Sequence, residues 1–67
     1  MDGVCKYYVW KNGEHADCDG FFDYVDALNF AIENGADEIE KTIWNSELAY
    51  QSKEPADDFE IVWKKGE

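Results

Sequence analysis

Between His15 and Asp26 the chain reads HADCDGFFDYVD. With His15 counted as the first position, the carboxylates of Asp17, Asp19, Asp23 and Asp26 fall third, fifth, ninth and twelfth. Gly20 stands sixth and the apolar Phe22 eighth. Hard cations such as calcium take roughly six to eight oxygen ligands, often from alternate acidic residues around a tight glycine turn. These residue types at these spacings are therefore a candidate cation loop.

The twelve-residue pattern partly resembles the EF-hand loop, and it departs from that loop at both ends. The first position is histidine, a poor ligand for a hard cation, and the twelfth is Asp26, shorter than the glutamate expected there. The segment before it reads as a strand rather than an entering helix. A structural use accounts for the same residues. Asp19-Gly20 turns the chain, Asp23 is suited to cap a helix, and Phe22 just before the cap can pack on the core as a staple. The cap is the preferred reading, with calcium binding at residues 15–26 as an alternative.

Other chemistries find fewer residues. His15 is the only histidine, and the register derived below places Cys18 on the opposite face from it, which leaves no thiol–imidazole pair. A structural zinc site wants four nitrogen or sulfur ligands, whereas Cys5, His15 and Cys18 supply three. Sixteen carboxylates in 67 residues produce close acid pairs by chance, and a chain this short has no deep cleft to perturb them. No glycine-rich phosphate loop is present. The expectation is a protein without enzymatic activity, cofactor or bound metal.

The elements that would position these residues are legible. Val4 to Trp10 is rich in β-branched and aromatic side chains and is followed by Asn12-Gly13, the strongest short hairpin signal. Lys11 then faces Glu14, Trp10 faces His15, Val9 faces Ala16 and Tyr7 faces Cys18. Alternation puts Cys5, Tyr7, Val9, Ala16 and Cys18 on an apolar face, with Val4, Lys6, Tyr8, Trp10, His15, Asp17 and Asp19 on a mixed one. Cys5 and Cys18 become diagonal neighbours about 7–8 Å apart, so they are expected as free, buried thiols.

Tyr24 to Asn34 reads as a helix with Asp23 as N-cap and Gly35 just past its end. Its apolar arc gathers Tyr24, Val25, Ala27, Leu28, Ala31 and Ile32, and Phe30 falls beside the polar face. Ile39 to Trp44 is a strand, Leu48 to Gln51 a candidate strand pairing back on it with Ile43 opposite Leu48, and Phe59 to Lys65 a last strand. In that last strand Phe59, Ile61 and Trp63 alternate against Glu60, Val62 and Lys64. The fold class is α+β, a single domain over residues 1–67. It has a small antiparallel sheet in the order ββαββ, or ββαβββ if residues 48–51 pair, and one helix on one face.

Composition narrows the function. The net charge of −10, with six lysines and no arginine, repels nucleic acid and anionic membranes and attracts basic surfaces. MDGVCKYY has neither the basic start nor the apolar run of a secretory signal, so a cytoplasmic location is expected. With the helix covering one sheet face, Tyr8, Trp10 and Trp44 are expected on the other in solvent, beside carboxylates. Exposed tryptophan and tyrosine are what protein interfaces concentrate, the alternative being that a second layer, such as the Lys53–Asp58 loop or a dimer mate, covers them. The partner-binding residues expected are Asp17, Asp19, Asp23, Asp26, Asp37, Glu38, Glu40, Tyr8, Trp10, Phe30 and Trp44. In size and charge the chain is similar to small acidic inhibitors made by phages and mobile elements, anti-CRISPR proteins among them. The expected function is binding to a basic protein, extending to inhibition of a nucleic-acid-handling enzyme by charge mimicry. A charged homodimer is the remaining alternative.

Overall fold

The computed structural model describes residues 3–17 and 19–66. Six elements follow one another: β1 (Val4–Lys11), β2 (Glu14–His15), α1 (Tyr24–Asn34), β3 (Glu38–Trp44), α2 (Glu47–Gln51) and β4 (Asp58–Lys64). The strands form one antiparallel sheet in the order β2-β1-β3-β4, with α1 packed on one face. This is the small α+β architecture that the residue pattern predicts.

The first hairpin forms because Asn12 and Gly13 adopt φ of 55° and 81°, the conformation a two-residue turn with matching twist requires. It aligns Lys11 with Glu14 and Trp10 with His15. Beyond His15 the second strand is shorter than expected. The Ala16 amide donates to the Val9 carbonyl at 2.7 Å, and the next ladder position is taken by a side chain: the Val9 amide donates to the Asp17 carboxylate at 2.8 Å. The chain then loops out through Gly20, at φ 79°, and returns at Phe21, which exchanges two backbone hydrogen bonds with Tyr7. Phe21 thus stands opposite Tyr7. It takes the place expected for Cys18, because the chain leaves the ladder after Ala16 and rejoins it at Phe21; Cys18 itself lies outside the described residues, and Cys5 is half-buried.

The helix runs over the predicted span. The Val25 amide donates to the Asp23 side chain at 2.9 Å, and Gly35 ends the helix at φ 66°. Its orientation differs from the predicted arc. Ala27 and Ala31 sit flat on the sheet and are fully buried, whereas Val25 and Ile32 are exposed. Phe30, expected beside the polar face, packs on the core against Phe21 with ring centroids 5.4 Å apart. Two alanines let the helix approach closely, and the ring that returns at Phe21 gives Phe30 its partner. Phe21 therefore does the packing that Phe22 was expected to do, and Phe22 is exposed. Val9 and Ile39 are the largest side chains with no exposure, each stabilising by about 1.5–3 kcal/mol.

Residues 47–51 are a short helix and not a strand. Ser46 caps it, its hydroxyl accepting from the Ala49 amide at 3.0 Å. Leu48, expected opposite Ile43, is 72% exposed. The neighbour of β3 is β4, which aligns Asp58 with Ile43 and Phe59 with Thr42. A bulge between Ile39 and Glu40 on β3 pairs them with Trp63 and Ile61, so Val62 is the additional residue. One extra residue reverses the alternation beyond it. Phe59 and Ile61 share a face, as expected, but Trp63 crosses and packs on the core beside the helix. Among the described residues no helix is long and apolar enough to cross a membrane.

Candidate functional site

Directly opposed residues of an antiparallel sheet share a face. The register therefore lays out the face away from α1 as transverse rows: His15, Trp10, Glu38 and Lys64; then Tyr8, Glu40 and Ile61; then Lys6, Thr42 and Phe59; then Val4 and Trp44. Rings and carboxylates meet in the first two rows, where Trp10 and Tyr8 of β1 stand opposite Glu38 and Glu40 of β3.

One end of this face is covered. The α2 helix and the loop after it lie over Trp44, whose indole N–H donates to the Glu54 carbonyl at 2.9 Å and whose ring meets Tyr50 edge-on at 5.0 Å. Trp44 is 9% exposed, so it is not the solvent-facing anchor that the pattern predicted. The loop is pinned beside it by Asp57, whose amide donates to the Ile43 carbonyl and whose carboxylate accepts from the Asn45 amide. Next to Trp44 lies Lys6. Its ammonium stands 5.1 Å from the Phe22 ring centroid, 5.5 Å from Tyr8 and 5.8 Å from Tyr50. Three rings thus surround one cation supplied by the chain itself.

The other end of the face is open. Tyr8 and His15 stack at 5.0 Å and 13°, and Trp10 meets His15 edge-on at 4.2 Å. The Trp10 indole N–H donates to Glu40 Oε1 at 2.9 Å, which holds that carboxylate against the sheet. Between these rings and Phe59, itself 58% exposed, lies a concavity of about 440 Å³ with Glu40 and Thr42 in its lining. Glu54, Pro55 and Ala56 complete its far wall.

The acidic residues divide by occupation. Asp17, half-buried, terminates the hairpin ladder through the Val9 amide, so it has a structural duty, and its second oxygen is buried with no partner among the described residues. Asp23 caps α1. Asp37 accepts from the Asn12 amide at 2.8 Å and, through its own backbone, ties Trp10 to Lys65, which clamps the hairpin turn to the sheet. Asp19 and Asp26 are exposed, and Glu38 is half-buried opposite Trp10. The structure therefore brings together Tyr8, Trp10, Glu38 and Glu40. It sends Phe30 to the core and Trp44 beneath α2. The aspartates of residues 15–26 do not converge, since Asp17 and Asp23 are turned to separate backbone amides. Among the described residues no group of three or more His, Cys, Asp or Glu side chains is arranged to hold a metal ion.

Sequence reasoning placed His15 beside Trp10 and assigned Tyr8, Trp10 and Lys6 to one face. It weighed the Lys53–Asp58 loop as a cover, and Glu54, Pro55 and Ala56 of that loop do form the wall; it missed Phe59 and the rings of Phe22 and Tyr50 around Lys6. The available signal was Ser46-Glu47, a helix start with an acid in the first turn, which would have moved Tyr50 out of the sheet. Comparison with family models, with curated proteins and with solved structures finds no match to this chain.

Proposed function

We propose that this chain is a non-enzymatic interaction protein that binds a basic protein surface, and that it inhibits a nucleic-acid-handling enzyme by standing in for the charge of nucleic acid. The observation that carries the reading is the pairing of a net charge of −10 with an uncovered aromatic and carboxylate face. Charge of one sign accelerates encounter with an oppositely charged partner, and rings such as Trp10 and Tyr8 supply the contact area that holds it. Scale supports it as well. The molecule is 34 Å in its longest dimension, and duplex DNA of that length carries roughly 20 phosphate charges. The sixteen carboxylates are of that order. Direct binding to nucleic acid or to an anionic membrane is disfavoured by the same charge.

The test is affinity capture from a cell lysate with the whole chain as bait, at low and at high salt. The expected result is a basic nucleic-acid-binding protein that is retained at low salt, released by salt and displaced by added DNA. Recovery of no basic protein at low salt overturns the reading. A retained partner that DNA does not displace keeps the interaction and removes the mimicry.

A further inference from the structure

We infer that the open groove bounded by Tyr8, Trp10, His15 and Phe59 is a receptor for an arginine side chain of the partner, with Glu40 as the carboxylate that pairs with it. This inference rests on the reading that the partner is basic and names where its cation sits.

The neighbouring cluster on the same face already holds a cation among rings. Lys6 places an ammonium within 5.1–5.8 Å of three ring centroids, the distance range at which a ring's negative face attracts a cation. Tyr8 belongs to both clusters. The groove repeats the aromatic surroundings, yet its lining contains no lysine. It contains instead what the Lys6 cluster lacks, a half-buried carboxylate among the rings.

The Trp10 indole holds Glu40 Oε1 at 2.9 Å and so fixes the orientation of the group without occupying its other oxygen. A half-buried, oriented carboxylate is a stronger partner for a cation than a mobile surface one. Glu54 in the wall and Glu38 beside Trp10 add negative charge nearby.

A guanidinium suits these surroundings better than an ammonium. A guanidinium is flat and weakly hydrated, stacks on ring faces and donates two parallel hydrogen bonds to one carboxylate. The groove offers ring surface at Trp10 and Phe59 and, at Glu40, the one oxygen that the indole leaves free for a charge-assisted hydrogen bond. An ammonium is a strongly hydrated point charge and would leave most of the ring surface uncovered.

The experiment is a low-salt titration of ¹⁵N-labelled protein with a capped Gly-Arg-Gly-Arg-Gly peptide and with its lysine counterpart. The expected result is movement of the Trp10 indole signal and the His15 and Tyr8 amide signals, with the arginine peptide binding more tightly. E40Q keeps an acceptor for the Trp10 indole and removes the charge, so it weakens the arginine peptide by about tenfold. Retained dispersion of the E40Q spectrum shows that the fold is intact. Phe59→Ala, on an exposed edge, weakens binding several-fold, whereas Glu33→Gln, exposed on α1 on the other side of the sheet, leaves it unchanged. Equal binding of the two peptides overturns the inference. So does an unchanged affinity of E40Q with shifts centred on Asp19 and Asp26, which marks diffuse charge attraction and leaves a basic partner in place. If neither peptide binds, the groove is rejected, and the lysate capture decides separately whether a basic partner exists.

Discussion

The two aromatic clusters on the sheet face away from α1 are built from the same residue types and have different fates. Around Lys6, the rings of Tyr8, Phe22 and Tyr50 close over a cation from the chain's own β1, and α2 lies over Trp44 beside them. Around Glu40, the rings of Tyr8, Trp10 and His15 border an open groove whose far wall is the loop of Glu54, Pro55 and Ala56. What separates them is five residues of helix. Where the chain supplies both the cation and the cover, aromatic residues become part of the fold. Where it supplies neither, the same residues remain surface, and the surface has the composition of an interface.

The largest way to break this comparison is Trp44→Ala. Losing a tryptophan from a buried site costs about 3–5 kcal/mol, and a chain of this length is expected to have a total stability of roughly 3–10 kcal/mol. Urea unfolding should therefore show the variant largely unfolded, or folded with α2 detached. A loss below about 1 kcal/mol would mean that the cover over Lys6 is not a structural element. Gly20→Ala probes the ring that the clusters share. Gly20 has φ 79°, and an added Cβ would lie 2.8 Å from Tyr8 Cε1. The expected cost is about 2 kcal/mol, against about 1 kcal/mol for Gly13→Ala, which shares the positive φ but meets open space. Equal costs by thermal unfolding would show that Tyr8 is not held over Gly20. The smallest effect is that of Lys6→Met, which keeps most of the stem and removes the charge. It should destabilise by about 0.5–1 kcal/mol, and Lys11→Met, at an exposed position, should not. Indistinguishable midpoints for the two would remove the cation from the Lys6 cluster.

Much of this arrangement was legible beforehand. The helix span, its Asp23 cap and Gly35 end, the Asn12-Gly13 turn and the register of Trp10 on His15 all follow from local chemistry. They depend on residues within a few positions of one another, so periodicity and turn preference suffice. The candidate site was half legible. Alternation put Lys6, Tyr8, Trp10 and His15 on one face. It could not show that Trp44 would be roofed, because the roof is a helix read as a strand and a loop that folds back on Ile43 and Asn45. Nor could it show that Phe30 would turn inward, since that depends on Phe21 returning to the sheet across an irregular loop.

Charge and composition were determined by the sequence alone: a net charge of −10, no arginine, and rings spaced to share a sheet face. The tertiary structure decided which acids are spent on the fold. Asp17, Asp23, Asp37 and Asp57 each accept from a backbone amide, three of them from residues eight or more positions away. An aspartate's short side chain reaches an amide only after the chain has brought that amide beside it, so its role is set by long-range contacts. Tertiary structure likewise decided that the Val62 bulge would send Trp63 to the core while Phe59 stayed at the groove. A bulge arises from the pairing of two strands, and neither strand's own pattern records it.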